Sequence, residues 1–166
     1  QTCGEFDDKL KEKCLEMIVS LPPEPVYIEA DPRRIWRVVE NLFSNVCKYA
    51  LEGTRVYLEI RRVRQDDREI AVFTMKNISA QALNIRAEEL TERFIRGDIS
   101  RSTEGSGLGL SIAQNLTTLQ KGTFEIYLDG DLFKVTITFD EAVKEKKPMS
   151  PMIVPEPVQE EAQQDV

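Results

Sequence analysis

Three of the chain's eight glycines fall within five residues, Gly105, Gly107 and Gly109, in the run Glu-Gly-Ser-Gly-Leu-Gly-Leu-Ser-Ile at 104–112. They stand at the mouth of an amphipathic stretch, Leu108–Leu119, with the spacing of a helix. Glycine lets a backbone approach a ligand closely. The first turn of a helix offers unpaired N–H groups and the positive end of the helix dipole. A glycine-rich loop running into a helix is therefore an anion site in outline, suited to phosphate. The plainer alternative is a flexible loop ahead of an ordinary helix.

Composition removes several chemistries. The chain has 166 residues and no histidine, which excludes Ser-His-Asp and Cys-His catalysis and imidazole-ligated metals within it. Any phosphohistidine chemistry then needs a histidine on another chain or segment. The net charge of −7 argues against nucleic acid as a partner. The three cysteines, Cys3, Cys14 and Cys47, have no metal-ligand spacing, and an odd count without a secretory signal fits reduced thiols in a cytoplasmic setting. Cys47 reads as a core filler. No run approaches the roughly 18–20 apolar residues of a membrane span.

Along the chain, residues 5–17 carry Phe6, Leu10, Cys14 and Met17 at helical spacing. Ile18–Leu21 and Val26–Glu29 read as short strands around a proline-rich turn. Asp31-Pro32 is a helix start, with Asp as N-cap and Pro in the first turn, and the helix should end near Tyr49 or Leu51, before Gly53. Thr54–Arg64 and Glu69–Lys76 predict a hairpin turning at Asp66-Asp67. Residues 78–104 read as a long irregular loop, a lid or binding loop, with one short helix near Ala87–Arg93. A second hairpin pairs Thr123–Leu128 with Leu132–Phe139 around Asp129-Gly130. After Phe139 the composition shifts: 140–166 holds four of the eight prolines and seven acids against three lysines. That stretch reads as a disordered acidic tail, with a docking peptide as the alternative.

The helix beginning at Asp31 carries a second constellation. At 100° per residue, Ile35, Val39, Leu42 and Val46 stack as a core stripe with Tyr49 at its edge. Asn41, Asn45 and Lys48, at i, i+4 and i+7, form a polar ridge about a quarter-turn away. Asparagine is a mediocre helix former, so two of them aligned with a lysine beside a buried stripe suggest the edge of a pocket. An amide oxygen can ligate Mg²⁺, which keeps waters and takes phosphate oxygens for its other positions. Lys48 can neutralise phosphate as a point charge. A pair of ordinary surface asparagines is the alternative.

These segments together resemble the sensor histidine kinases. Asn-Leu-Phe-Ser-Asn-Val-Cys-Lys-Tyr at 41–49 resembles their asparagine box, and the glycine run at 104–112 resembles their second glycine box. Between them, Glu89–Asp98, with Phe94, is similar to the phenylalanine box. The resemblance spans residues 5–139 and implies an α+β fold: a two-layer sandwich with a mixed, largely antiparallel sheet on three helices and an ATP lid, the Bergerat fold shared with gyrase, Hsp90 and MutL proteins. It implies that 1–139 is the catalytic ATP-binding domain, using ATP and Mg²⁺. Asn45 would ligate the metal, with Asn41 beside it; Lys48 would meet phosphate, and Tyr49 would pack near adenine and lid. Arg96 and Arg101 would reach ATP from the lid, which Phe94 anchors. Gly105, Gly107, Leu108 and Gly109 would wrap the phosphates. The catalytic set would be Asn45, Lys48 and Arg96.

One box departs from the family pattern. The family's first glycine box follows a strand as Asp-x-Gly-x-Gly, the Asp accepting a bond from the adenine amino group. Here Ala71–Lys76 leads into Asn77-Ile78-Ser79, so Asn77 takes the Asp place and Ser79 the first Gly place. An Asn oxygen still accepts, without charge assistance. Hydrolases of this fold carry a glutamate four residues before the metal-binding asparagine; that place is Asn41 here, and Glu40 points about 100° away. An imidazole nucleophile needs less help than water, so the pattern favours transfer to histidine. The implied partners are a histidine-bearing dimerisation domain of the same protein and a response regulator, in a cytoplasmic signal-transduction domain of a membrane-bound sensor. The isolated domain would be monomeric and the parent dimeric. The rivals are a degenerate docking module without turnover and an ATP hydrolase.

Overall fold

The structure, a computed structural model, describes residues 2–83 and 108–142, with side chains from Phe6 onward. Among the described residues, three helices, α1 (Thr2–Glu12), α2 (Pro32–Tyr49) and α3 (Gly109–Thr118), lie with five strands, β1 (Glu16–Ser20), β2 (Arg55–Gln65), β3 (Arg68–Ile78), β4 (Thr123–Asp129) and β5 (Leu132–Asp140). The sheet order is β1-β2-β3-β5-β4. Only β1–β2 is parallel, and α2 is the crossover that a parallel pair requires. This is the two-layer α+β sandwich expected.

The layers follow from alternation. On β5, Phe133, Val135, Ile137 and Phe139 are buried while the residues between them are not, and Phe124, Ile126 and Leu128 of β4 pack with them. On α2 the buried face is Val38, Leu42, Phe43 and Val46, with Ile35 and Val39 only partly covered. The apolar stripe is thus wider than the Ile35–Val39–Leu42–Val46 line, because Phe43 turns inward to stack on Phe6 of α1, centroids 5.2 Å apart. Cys47 is a partly buried neighbour of this core, and burial pushes its thiol upward, the state of an inert filler.

Ends and turns are set locally. Asp31 caps α2 by accepting from the Arg33 and Arg34 N–H groups at 2.8 and 3.3 Å. The β2–β3 turn places Asp66 and Asp67 at φ 47° and 63°, the two left-handed residues of a tight hairpin. Gly122 is demanded by space: an added Cβ would lie 2.6 Å from the Phe139 ring and 2.8 Å from Thr117.

Three expectations change. The 5–17 helix stops at Glu12: Cys14 turns left-handed at φ 51°, the Cys14 and Leu15 N–H groups close onto the Lys11 and Leu10 carbonyls, and Met17 joins β1. Helical spacing continued by chance across this cap. Val26–Glu29 is not a strand; Ile28 makes a single bridge to Glu141. The fold also runs past Phe139, since β5 includes Asp140, Glu141 N–H donates to the Glu69 carbonyl and Ala142 N–H to that of Tyr27. The short helix near 87–93 and the tail from 143 lie outside the described residues.

Glu141 is anchored by Arg62, which also approaches Glu24 at 3.5 Å. The hydrogen bond from Arg62 holds the Glu141 carboxyl below its ordinary range. A folded-state value below the unfolded one gives stability that is complete above the unfolded value, about 4.3, and lost as pH falls through the folded one. In denaturant titrations, Glu141→Gln is expected to be less stable than the parent at pH 7, with the gap closing in acid. Gly122→Ala is expected to lose about 1–3 kcal/mol by overpacking against Phe139, read as a lower urea midpoint at unchanged slope.

Candidate nucleotide-binding site

The polar ridge of α2 is carried to the sheet by a tie between two element ends. Ala50 and Ser79 form an antiparallel bridge, Leu51 N–H donates to the Ile78 carbonyl at 2.9 Å, and Ala80 N–H donates to the Tyr49 carbonyl at 2.8 Å. The last turn of α2, with Asn45, Lys48 and Tyr49, is thereby fixed beside the end of β3, where Asn77 sits. Asn45 and Tyr49 are half-buried and Lys48 is exposed. Among the described residues, the Asn45 amide and the Lys48 ammonium make no hydrogen bond or ion pair.

Asn77 is the anomaly of the sheet. It lies on the helix-covered face, in a cross-strand row with Phe133 and Leu128, and is 3% exposed. Its Nδ2 donates to the Ile78 carbonyl at 3.1 Å, which fixes the amide orientation, because a carbonyl cannot donate. Its Oδ1 is the one buried side-chain polar atom among the described residues without a partner. A buried acceptor left unpaired costs about 1–3 kcal/mol. The atom has the chemistry to take a donor from a bound molecule.

The other side of the site is α3. Asn41 anchors itself by donating Nδ2 to the Arg37 carbonyl at 2.7 Å, and a Cβ on Gly109 would stand 3.1 Å from Asn41 Oδ1. Gly109 is therefore the close-approach point between α2 and α3. No side chain caps α3, its first turn holds no acid, and Leu108 ahead of it is 37% exposed. An uncapped, acid-free N-terminus beside a ridge of amides and a lysine can receive an anion.

The structure thus brings together Asn41, Asn45, Lys48, Tyr49, Asn77, Leu108 and Gly109. Arg96, Arg101, Gly105 and Gly107, with Phe94, lie outside the described residues. No cluster of three His, Cys, Asp or Glu is present among the described residues, so amide oxygens are the protein ligands that the site offers a cation. The donor set fits nucleotide and Mg²⁺: a lone buried acceptor for a base amino group, neutral oxygens for a hard cation, and backbone N–H groups for phosphate.

Ser79 behaves differently from the glycine whose place it takes. It is 8% exposed, has no positive φ, and accepts from Gln81 N–H through Oγ at 3.2 Å, so the position does not need glycine's freedom. Its N–H donates to the Asp131 carbonyl at 2.7 Å. Asp131 follows Gly130, which marks a turn, but nothing local in the sequence foretells its partner.

Residues 30–144 match the family described as histidine kinase-, DNA gyrase B- and HSP90-like ATPase. Sensor histidine kinase WalK of Bacillus subtilis is 32% identical over 140 residues, covering 82% of this chain and 22% of that protein. Sensor histidine kinase RppB of Synechocystis is 30% identical over 141 residues, covering 77% and 30%. The chain therefore spans under a third of the length of these relatives. In fold it is similar to the catalytic domain of histidine kinase ThkA, with TM-score 0.64 and 21% identity over 84% of this chain and 87% of that one. It is likewise similar to full-length ShkA solved with AMPPNP, with TM-score 0.66 and 20% identity over 86% and 29%. The chain belongs to the histidine kinase-, DNA gyrase B- and HSP90-like ATPase family, as an ATP-binding catalytic domain of the sensor histidine kinase type.

Proposed function

We propose that the site binds ATP with Mg²⁺ and transfers the γ-phosphoryl group to a histidine outside this sequence, on a dimerisation domain of the same protein, for passage to a response regulator. The observation that carries the nucleotide reading is the unpaired, buried Asn77 Oδ1 beside the asparagine ridge. Asn77 accepts from the adenine amino group. Asn45 supplies an oxygen to Mg²⁺, with Asn41 beside it. Lys48, the N-terminus of α3 at Leu108–Gly109, and Gly105 and Gly107 receive phosphate, while Arg96 and Arg101 reach the nucleotide from the lid. Mg²⁺ supplies charge neutralisation on the phosphates, and the residues position and stabilise.

The acceptor class is supported by what stands at 41. Asn41 is a neutral amide, held by its Nδ2 bond to the Arg37 carbonyl with its oxygen towards Gly109, and an amide is no base for water. A neutral imidazole brings its own lone pair. As a domain like those of the sensor kinases it resembles, it works on the cytoplasmic side of a membrane-bound sensor.

Asn45→Ala is expected to abolish the Mg²⁺-dependent part of ATP stabilisation, read as a melting shift, and to leave the nucleotide-free domain folded. Equal Mg²⁺-linked shifts in variant and parent would refute the metal role. Asn77→Ala is expected to weaken ATP binding by about 1–2 kcal/mol, by calorimetry. Asn77→Asp keeps the acceptor but turns a carboxylate towards the Ile78 carbonyl, so it retains affinity while the nucleotide-free domain melts lower. Unchanged affinity in both would remove Asn77 from the base site.

Supplying the upstream histidine-bearing helices is expected to yield an acid-labile, base-stable phosphoprotein, whereas the chain alone turns ATP over poorly. Steady hydrolysis by the unmodified chain at rates on the order of 1–10³ per second would favour the hydrolase instead. Asn41→Glu places a carboxylate where hydrolases carry one, and any change in water attack should be a gain.

A further inference from the structure

A cavity of about 340 Å³ lies between the N-terminal half of α2 and the sheet, away from the nucleotide residues. Its lining residues are all apolar and include Val26, Ile28, Ile35, Val39, Ala71 and Phe139. None of Asn41, Asn45, Lys48, Asn77 or Gly109 contributes. Interiors are packed nearly as tightly as organic crystals, and an engineered apolar void of about 150 Å³ already takes up apolar molecules. An opening of this size and lining fits aliphatic side chains.

The wall formed by Val26 and Ile28 is also where the chain leaves the described fold. Glu141 bridges Ile28 and Ala142 N–H donates to the Tyr27 carbonyl at 2.8 Å. Twenty-four residues follow, 143–166. They begin with a polar spacer, 143–148, rich in lysine, and then carry Met149-Ser150-Pro151-Met152-Ile153-Val154, the most apolar run of the tail. Six spacer residues reach up to about 20 Å when extended, ample for a cavity whose wall adjoins Ala142. Beyond Val154 come Glu156, Glu160 and Glu161. The first turns of α2 present Arg33, Arg34 and Arg37; Arg34 pairs with Asp31 and Arg37 with Glu40, while Arg33 has no ion pair among the described residues. The acids that follow the apolar run are thus complementary to the arginines on the first turns of α2, the helix whose Ile35 lines the cavity.

We propose that Met149–Val154 docks in this cavity, placing Met152 and Ile153 among its aliphatic walls and Glu156 towards Arg33. Tethering at Ala142 gives the segment a high effective concentration, so a contact too weak for a free peptide is sufficient. The prolines at 151 and 155 limit the entropy lost on docking. The contact is independent of the nucleotide reading.

The test compares the full chain with the same chain carrying Met152→Asp and Ile153→Asp, substitutions outside the described core. The expected result is a shift of the Ile35, Val39 and Ile137 methyl resonances and a several-fold rise in anilinonaphthalene sulfonate fluorescence. Both changes should be independent of protein concentration, and a synthetic 149–158 peptide at millimolar level should reverse them. Identical methyl spectra and dye binding in the two chains would overturn the proposal. Changes that vanish on dilution, with a dimer in sedimentation, would overturn it in favour of a second copy as the occupant.

Discussion

The candidate site depends on one short tie, the backbone bonds between Tyr49–Leu51 and Ile78–Ala80. An amphipathic helix on a sheet is held by non-directional apolar contact and could settle at several offsets along its axis. Directional backbone bonds at its C-terminal end remove that freedom. They fix how far Asn45 and Lys48 stand from Asn77, which no property of the helix alone determines. Gly109 then sets the distance of the third element, because any side chain there would meet the Asn41 oxygen.

Burial and polarity divide the sheet accordingly. Along β3, Ala71, Phe73 and Met75 face the helices in an apolar sequence, and Asn77 ends it with an amide. On the other face the row Tyr57–Lys76–Lys134–Tyr127 crosses four strands, each ammonium lying over its neighbouring ring at 5.1 and 5.9 Å. Like charges side by side are unfavourable on a sheet, and the flanking rings offset this through cation–π attraction.

Much of this was legible in residue order, for identifiable reasons. Helix α2 announced both ends, through Asp31-Pro32 and Gly53, and its ridge followed from 100° arithmetic. The hairpins were legible because alternation and left-handed turn residues are local signals. What was not legible was non-local. The left-handed Cys14 interrupts a spacing that looks helical through Met17, and Ile28 is held by Glu141 from the far end of the chain. The pairing of Ser79 with the Asp131 carbonyl likewise joins residues 52 apart, and no pattern near either one encodes it. Asn77 could be assigned its place by resemblance, but that its oxygen lacks a partner is a property of the packed sheet.

That lone oxygen also bears on which purine the proposed site accepts. Adenine presents an amino group where guanine presents a carbonyl. With its Nδ2 turned to the Ile78 carbonyl, the atom that Asn77 leaves unpaired is the acceptor Oδ1, and two acceptors facing each other in a buried place repel. Sites that require a matched hydrogen bond reject the mismatched analogue far more strongly than sites that merely exclude bulk. Base discrimination would then reside in one side chain whose other end is fastened to the strand, and competition between ATP and GTP would measure it.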